Sequence, residues 1–193
     1  MIKTLKQTVK TSLLTATLLG SLTAIEAISS ELIEPFFGKY TGHATYTENN
    51  IEINRDLGVL IRETDEGFKV DWEVTTVRPD KKSKTKKYSI SFTPTKRDHV
   101  FEAAMQPSIF GGKKPLDPIK GDPYVWARIL DQTLTIYALL INDDGGYELL
   151  SYDRSLADNG LNLNYSRIHD GNQLKTISSF LEKSDNVDEE TDK

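Results

Sequence analysis

The chain has 193 residues, of which 37% are hydrophobic and 27% charged, and a formal charge of −5. That balance argues against nucleic acid or an anionic membrane face as the main partner, since either would be met by a basic surface. There is no cysteine, which excludes disulfides, a cysteine for lipid attachment, a zinc–thiolate site and a cysteine nucleophile.

The first 27 residues predict a secretory signal peptide. Lys3, Lys6 and Lys10 form a basic start, Ser12–Ala24 is an uncharged run rich in Leu, Ala and Thr, and Ala27 offers a small residue for cleavage, with Ala24 as a second site. The run is shorter than the ~20 residues that span a bilayer, so it is expected to be removed and not to persist as an anchor. Without Lys3, Lys6, Lys10 and Glu26, 21 basic and 28 acidic residues remain, a net charge of about −7. The mature chain is therefore expected to be exported, to periplasm or medium, as one domain over residues 28–183. The acidic tail, 184–193, reads as disordered.

After one helical turn expected at Ser30–Phe37, apolar residues alternate with period two almost throughout. Strands are expected at Lys39–Thr47, with Tyr40, Gly42, Ala44 and Tyr46 on one face, and at Ile51–Glu63, with Leu57, Val59 and Ile61 together. In Phe68–Val77, Phe68, Val70, Trp72 and Val74 oppose Lys69, Asp71, Glu73 and Thr75, a strand with one dry and one wet face. A basic loop at Pro79–Lys87 precedes a strand with Tyr88, Ile90 and Phe92 inward, then a short one at Val100–Met105. The stretch Gln106–Pro123, with four prolines, is irregular. Strands resume at Tyr124–Leu130, Thr133–Ile141, Tyr147–Arg154, Leu161–Ile168 and Leu174–Leu181, separated by Asp, Asn and Gly turns. About ten strands joined in chain order predict an all-β, antiparallel up-and-down barrel, because a sheet of that size closes to remove its edges. A two-layer sandwich is the alternative. The charged outward faces argue against a membrane-spanning barrel, whose lipid side would be apolar.

The opening of the first strand, Phe37-Gly38-Lys39-Tyr40-Thr41-Gly42, resembles the start of the lipocalin and wider calycin barrels, in which a Gly-x-Trp lies at this place and packs under a basic residue of the last strand. Tyr40 stands where that family has Trp, and Arg167 is the candidate basic partner. The resemblance implies a carrier of small, mostly apolar ligands. The stretch Pro115–Asp153 also looks like an uncharacterised family of secreted proteobacterial proteins, which implies export and no particular chemistry.

No catalytic or metal motif emerges. His43, His99 and His169 show no converging spacing. Ser108 and Ser151 lie in no nucleophile elbow, and Asp143, Asp144 and Glu148 read as a hairpin turn and not as a calcium loop. Lys81, Lys82, Lys84, Lys86 and Lys87 read as a solvated loop. The Gln106–Pro123 segment is the candidate binding loop, with Phe110 as its aromatic contact. On the next strand, Tyr124, Trp126 and Arg128 share one face, and Val125, Ala127 and Ile129 the other. Either Arg128 is a buried cation in need of a partner or the aromatic face is an exposed patch. The expected function is non-catalytic binding of a small apolar or amphipathic ligand, without cofactor or metal. The expected ligand-binding residues are Trp72, Phe92, Trp126 and Tyr137, with Phe110 and Arg128. The alternative is a packed barrel that serves as an envelope interaction or assembly module.

Overall fold

A computed structural model describes residues 31–48, 50–78, 83–104, 106–107, 113–114 and 117–184. The predicted signal peptide, Lys81, Lys82, Phe110 and the acidic tail beyond Ser184 lie outside the described residues. The strands are β1 (Gly38–Glu48), β2 (Ile51–Thr64), β3 (Gly67–Val77), β4 (Ser83–Pro94), β5 (Val100–Ala103), β6 (Gln106–Pro107), β7 (Lys113–Lys114), β8 (Tyr124–Leu130), β9 (Thr133–Ile141), β10 (Tyr147–Ala157), β11 (Gly160–His169) and β12 (Asn172–Ser184). Ten of them close an antiparallel barrel in the order β1-β12-β11-β10-β9-β8-β5-β4-β3-β2, while β6 and β7 pair separately. Each barrel strand thus neighbours its successor, and β12 returns to β1. The architecture is the closed up-and-down barrel and not the sandwich.

The tight turns follow from residues that tolerate left-handed backbone. Asp131 and Gln132 (φ 47° and 63°), Gly145 (85°), Asn159 (60°), and Asp170 with Gly171 (46° and 78°) lie in the four turns that connect the last five strands. Closure needs glycine at the seam. A Cβ on Gly42 of β1 would meet the Phe180 carbonyl oxygen, and one on Gly160 of β11 would meet the Leu181 carbonyl oxygen. Both flank β12, where it is gripped from either side.

One end of the barrel is filled. A short 3-10 turn, Glu34–Phe36, lays Ile33 and Phe36 across it, and the Tyr40 hydroxyl donates to the Phe36 carbonyl at 2.9 Å. Phe68 stacks on Phe92 and meets Phe101 edge-on, both at 5.1 Å. Ile61, Leu134, Ile136, Leu161 and Leu181 complete the core. Each such side chain is stabilised by about 1.5–3 kcal/mol through burial.

Two expectations about segments are corrected. The lysine-rich stretch is a loop only in part: from Ser83 it is strand β4, with Lys84 and Lys86 on the inward parity and Lys87 outward. The Gln106–Pro123 stretch is not structureless. It holds the β6–β7 pair and a 3-10 turn at Pro118–Lys120, whose first turn is capped by the Asp117 side chain accepting from the Ile119 N–H at 3.1 Å.

Candidate functional site

The half of the barrel opposite the 3-10 plug is hollow. A cavity of about 820 Å³ lies within β1–β4 and β10–β12, and no residue of β5, β8 or β9 lines it. Its depth follows from register. Along β10, Arg154 is deepest, beside Leu163 of β11; Tyr152, Leu150 and Glu148 follow toward the mouth. On β3, Phe68 and Val70 belong to the core and Trp72 is the first inward residue to reach the cavity.

The floor carries a cation. Arg154 is 1% exposed, and its Nε and Nη1 have no hydrogen-bond partner among the described residues; neither has Trp72 Nε1. The guanidinium lies 5.7 Å from both the Trp72 and Tyr152 ring centroids, within range of cation–π attraction. Burial lowers its pKa to about 10, so it remains charged at neutral pH. Above it runs a chain of aromatic contacts. Tyr88 stacks on Trp72 at 5.0 Å, Trp72 meets Tyr152 at 5.7 Å, and Tyr152 meets Tyr165 at 5.0 Å. Burial raises the pKa of Tyr152 and of Tyr165, which keeps both hydroxyls neutral.

The mouth holds two ion pairs. Arg167 grips Glu148 with two bonds, Nε to Oε2 at 3.0 Å and Nη2 to Oε1 at 2.5 Å, and that hydrogen bonding holds the Glu148 carboxyl below the usual range. Lys175 donates to Glu48 at 2.9 Å with the same effect, while its ammonium lies 3.8 Å from the Tyr46 ring centroid. Both interior carboxylates are therefore already engaged. Seven cationic side chains and three carboxylates line the cavity, although the whole chain is at −5. Among the described residues no carboxylate pairs with Arg55, Arg78, Lys84, Lys86 or Arg154.

Of the ligand-binding residues expected from sequence, Trp72 lines this cavity. Phe92 faces inward but is fully buried in the closed half, against Phe68. Trp126, Arg128 and Tyr137 point outward, because β8 turns Val125, Ala127 and Ile129 to the core and β9 turns Leu134 and Ile136. Ala127 sits directly across from Phe101, where the ring leaves room only for a small neighbour. The alternative of an exposed aromatic patch therefore holds: Trp126 stacks on Tyr137 at 4.8 Å, with Tyr124 5.6 Å away. The buried cation sought at Arg128 is Arg154. The expected Tyr40–Arg167 contact is also corrected, since Arg167 lies at the mouth with Glu148, and the cation over the Tyr40 ring is Lys183 of β12, at 5.7 Å.

Sequence reasoning overlooked Arg154, Arg55, Tyr152 and Tyr165. A signal was present for most of them. On β10, Ser151, Asp153 and Ser155 share one face, so Tyr152, Arg154 and Leu156 must share the inward one; on β11, Asn162, Asn164 and Ser166 place Tyr165 and Arg167 inward in the same way.

Outside the barrel, His43 pairs with Asp56 at 2.7 Å, and a shallower groove of about 410 Å³ crosses β1–β4 over Gly58, walled by solvated charges such as Lys39, Glu73 and Lys87. Among the described residues, no group of three or more His, Cys, Asp or Glu is placed to hold a metal ion, and no helix is long and apolar enough to cross a membrane. The chain matches no family model and no curated protein.

Proposed function

We propose that this protein is an exported carrier that holds one small amphipathic ligand in the open half of its barrel. The observation that carries the reading is the 820 Å³ interior cavity, closed below by a packed core and open at the other end. Ligand sites of this kind are concave, of a few hundred Å³, and lined by apolar and aromatic groups with a few placed polar ones. Trp72, Tyr88, Tyr152, Tyr165, Leu57 and Ile177 supply the first kind and Arg154 the second. The reading is of binding and not of catalysis. Export rests on the sequence pattern of residues 1–27. The outer face of β2–β4 carries Arg62–Asp71 and Lys87–Glu73 ion pairs at 3.4 and 3.3 Å, which supports an aqueous exterior over a lipid-facing one.

The test is native mass spectrometry of the protein purified from an envelope extract, followed by organic extraction and identification of any bound molecule. One amphipathic molecule per chain is expected. An empty chain that also takes up no amphipathic probe would overturn the carrier reading. It would favour the second one, an envelope interaction module, for which the outward Tyr124–Trp126–Tyr137 row is the supporting feature.

A further inference from the structure

We infer that the ligand is an organic oxyanion, a carboxylate or a phosphate ester, held head-down with its anionic group on Arg154 and its apolar or aromatic body against Trp72, Tyr152 and Tyr165. This rests on the carrier reading and names the ligand's chemistry.

Arg154 is in an unusual state, buried and without a hydrogen-bond partner for its Nε and Nη1 among the described residues. A charge removed from water is heavily penalised unless it is paired, and proteins meet that penalty with a carboxylate or a set of acceptors. Arg154 has neither among the described residues. Its cross-strand neighbours on either side are Leu134 and Leu163, both apolar. Of the three carboxylates that line the cavity, Glu73 lies on the outward parity of β3 and pairs with Lys87, and the two that face inward are each engaged by a closer cation, Glu148 by Arg167 and Glu48 by Lys175. They also sit at the mouth, several residues up their strands from the floor. The counter-charge must then come from what enters the cavity. A guanidinium is a planar donor set suited to carboxylate and phosphate oxygens, and is only weakly hydrated. The aromatic contacts above it define where the rest of the molecule lies, since Trp72 and Tyr152 flank both the guanidinium and the space over it. Arg55, Arg78, Lys84 and Lys86 nearer the mouth, which pair with no carboxylate among the described residues, extend the positive field outward. In an acidic protein such a local field draws anions toward one opening and repels cations.

Two fluorescent probes of nearly equal shape separate charge from shape: anilinonaphthalene sulfonate, an oxyanion, and N-phenyl-1-naphthylamine, its neutral counterpart. On the full-length mature protein the sulfonate is expected to bind one per chain, about 30-fold or more tighter than the neutral probe. Arg154→Met is expected to abolish that preference, bringing the sulfonate to no tighter binding than the neutral probe, and the fold is expected to survive, because a buried ion replaced by an apolar group of similar size is usually tolerated. Arg154→Lys, which keeps the charge and loses the fork, should fall between. Competition by 1-naphthoate and by 1-naphthyl phosphate then assigns the anion to carboxylate or phosphate. Equal binding of both probes to the unaltered protein, with no weakening of the sulfonate by added salt, would overturn the oxyanion inference and leave the carrier reading standing. Binding of neither probe would count against both. The comparison of the two probes on the unaltered chain decides the matter even if the Arg154 variants do not fold.

Discussion

The two halves of the barrel share strands β1–β4 and β10–β12 with the same alternation, yet they do opposite things with their inward residues. The plugged half turns Phe36, Tyr40, Phe68, Phe92, Phe101 and Leu161 inward until no space is left. The open half turns Arg154, Tyr152, Tyr165, Arg55 and Lys175 into a cavity. One half is packed core, and the other holds a buried cation that has no carboxylate partner among the described residues.

Substitutions should therefore move stability in opposite directions in the two halves. The largest effect is expected at Phe92→Ala, which removes a fully buried ring stacked on Phe68 and should destabilise by about 3–5 kcal/mol. Urea titration measures it, and a loss under about 1 kcal/mol would show that the closed half is not the core. Arg154→Met should do the reverse, leaving stability unchanged or raising it by as much as about 4 kcal/mol without ligand; a loss of more than about 3 kcal/mol would mean that Arg154 has a partner within the fold. At the seam, Gly42→Ala forces a methyl group against the Phe180 carbonyl oxygen and the Leu181 side chain, and should cost about 1–3 kcal/mol, again by urea titration. Trp126→Ala removes the outward stack on Tyr137. It should cost about 0.5–1.5 kcal/mol and leave interior probe affinity unchanged within about twofold, whereas Trp72→Ala should weaken that affinity. A Trp126 effect as large as that of Trp72 would move the binding site to the outer face.

The smallest effect concerns acid. Hydrogen bonds from Arg167 and Lys175 lower the pKa values of Glu148 and Glu48 in the folded chain. A carboxylate with a lowered folded pKa contributes stability that is present above its unfolded value and lost as pH falls through the folded one. Because Glu48 and Arg167 are substantially exposed, each pair should contribute no more than about 1 kcal/mol. Glu148→Gln should accordingly flatten the fall in melting temperature below the usual carboxylate value of 4.5. An unchanged slope would show that the pair at the mouth contributes nothing to folding.

The fold was largely legible in the chain, and the site much less so. β8 and β9 lie at Tyr124–Leu130 and Thr133–Ile141, where period two placed them, and Tyr40, Val59, Val70 and Phe92 face inward as the alternation indicated. On β8 the alternation left the choice of face open. Size alone would have put Trp126 inside and Ala127 out. The opposite holds because Phe68, Phe92 and Phe101 already occupy the interior beside that strand. Arg167 shows the same limit: its parity was readable, but not which end of the barrel it would reach.

What the amino-acid sequence determined by itself is what depends on near neighbours: strand after strand, each turn that needs a left-handed residue, and the two side-chain sets of each strand. Alternation and turn geometry are local, so they survive without knowledge of the rest of the chain. Only the tertiary structure decided which set faces inward at β8, that Lys183 and not Arg167 lies over Tyr40, and that Glu148 and Glu48 are taken by Arg167 and Lys175, which leaves Arg154 without a carboxylate partner among the described residues. Those outcomes depend on closing β12 onto β1, which brings Lys175 to Glu48 across 127 residues of chain, and on the competition between side chains for one interior, which no local pattern encodes.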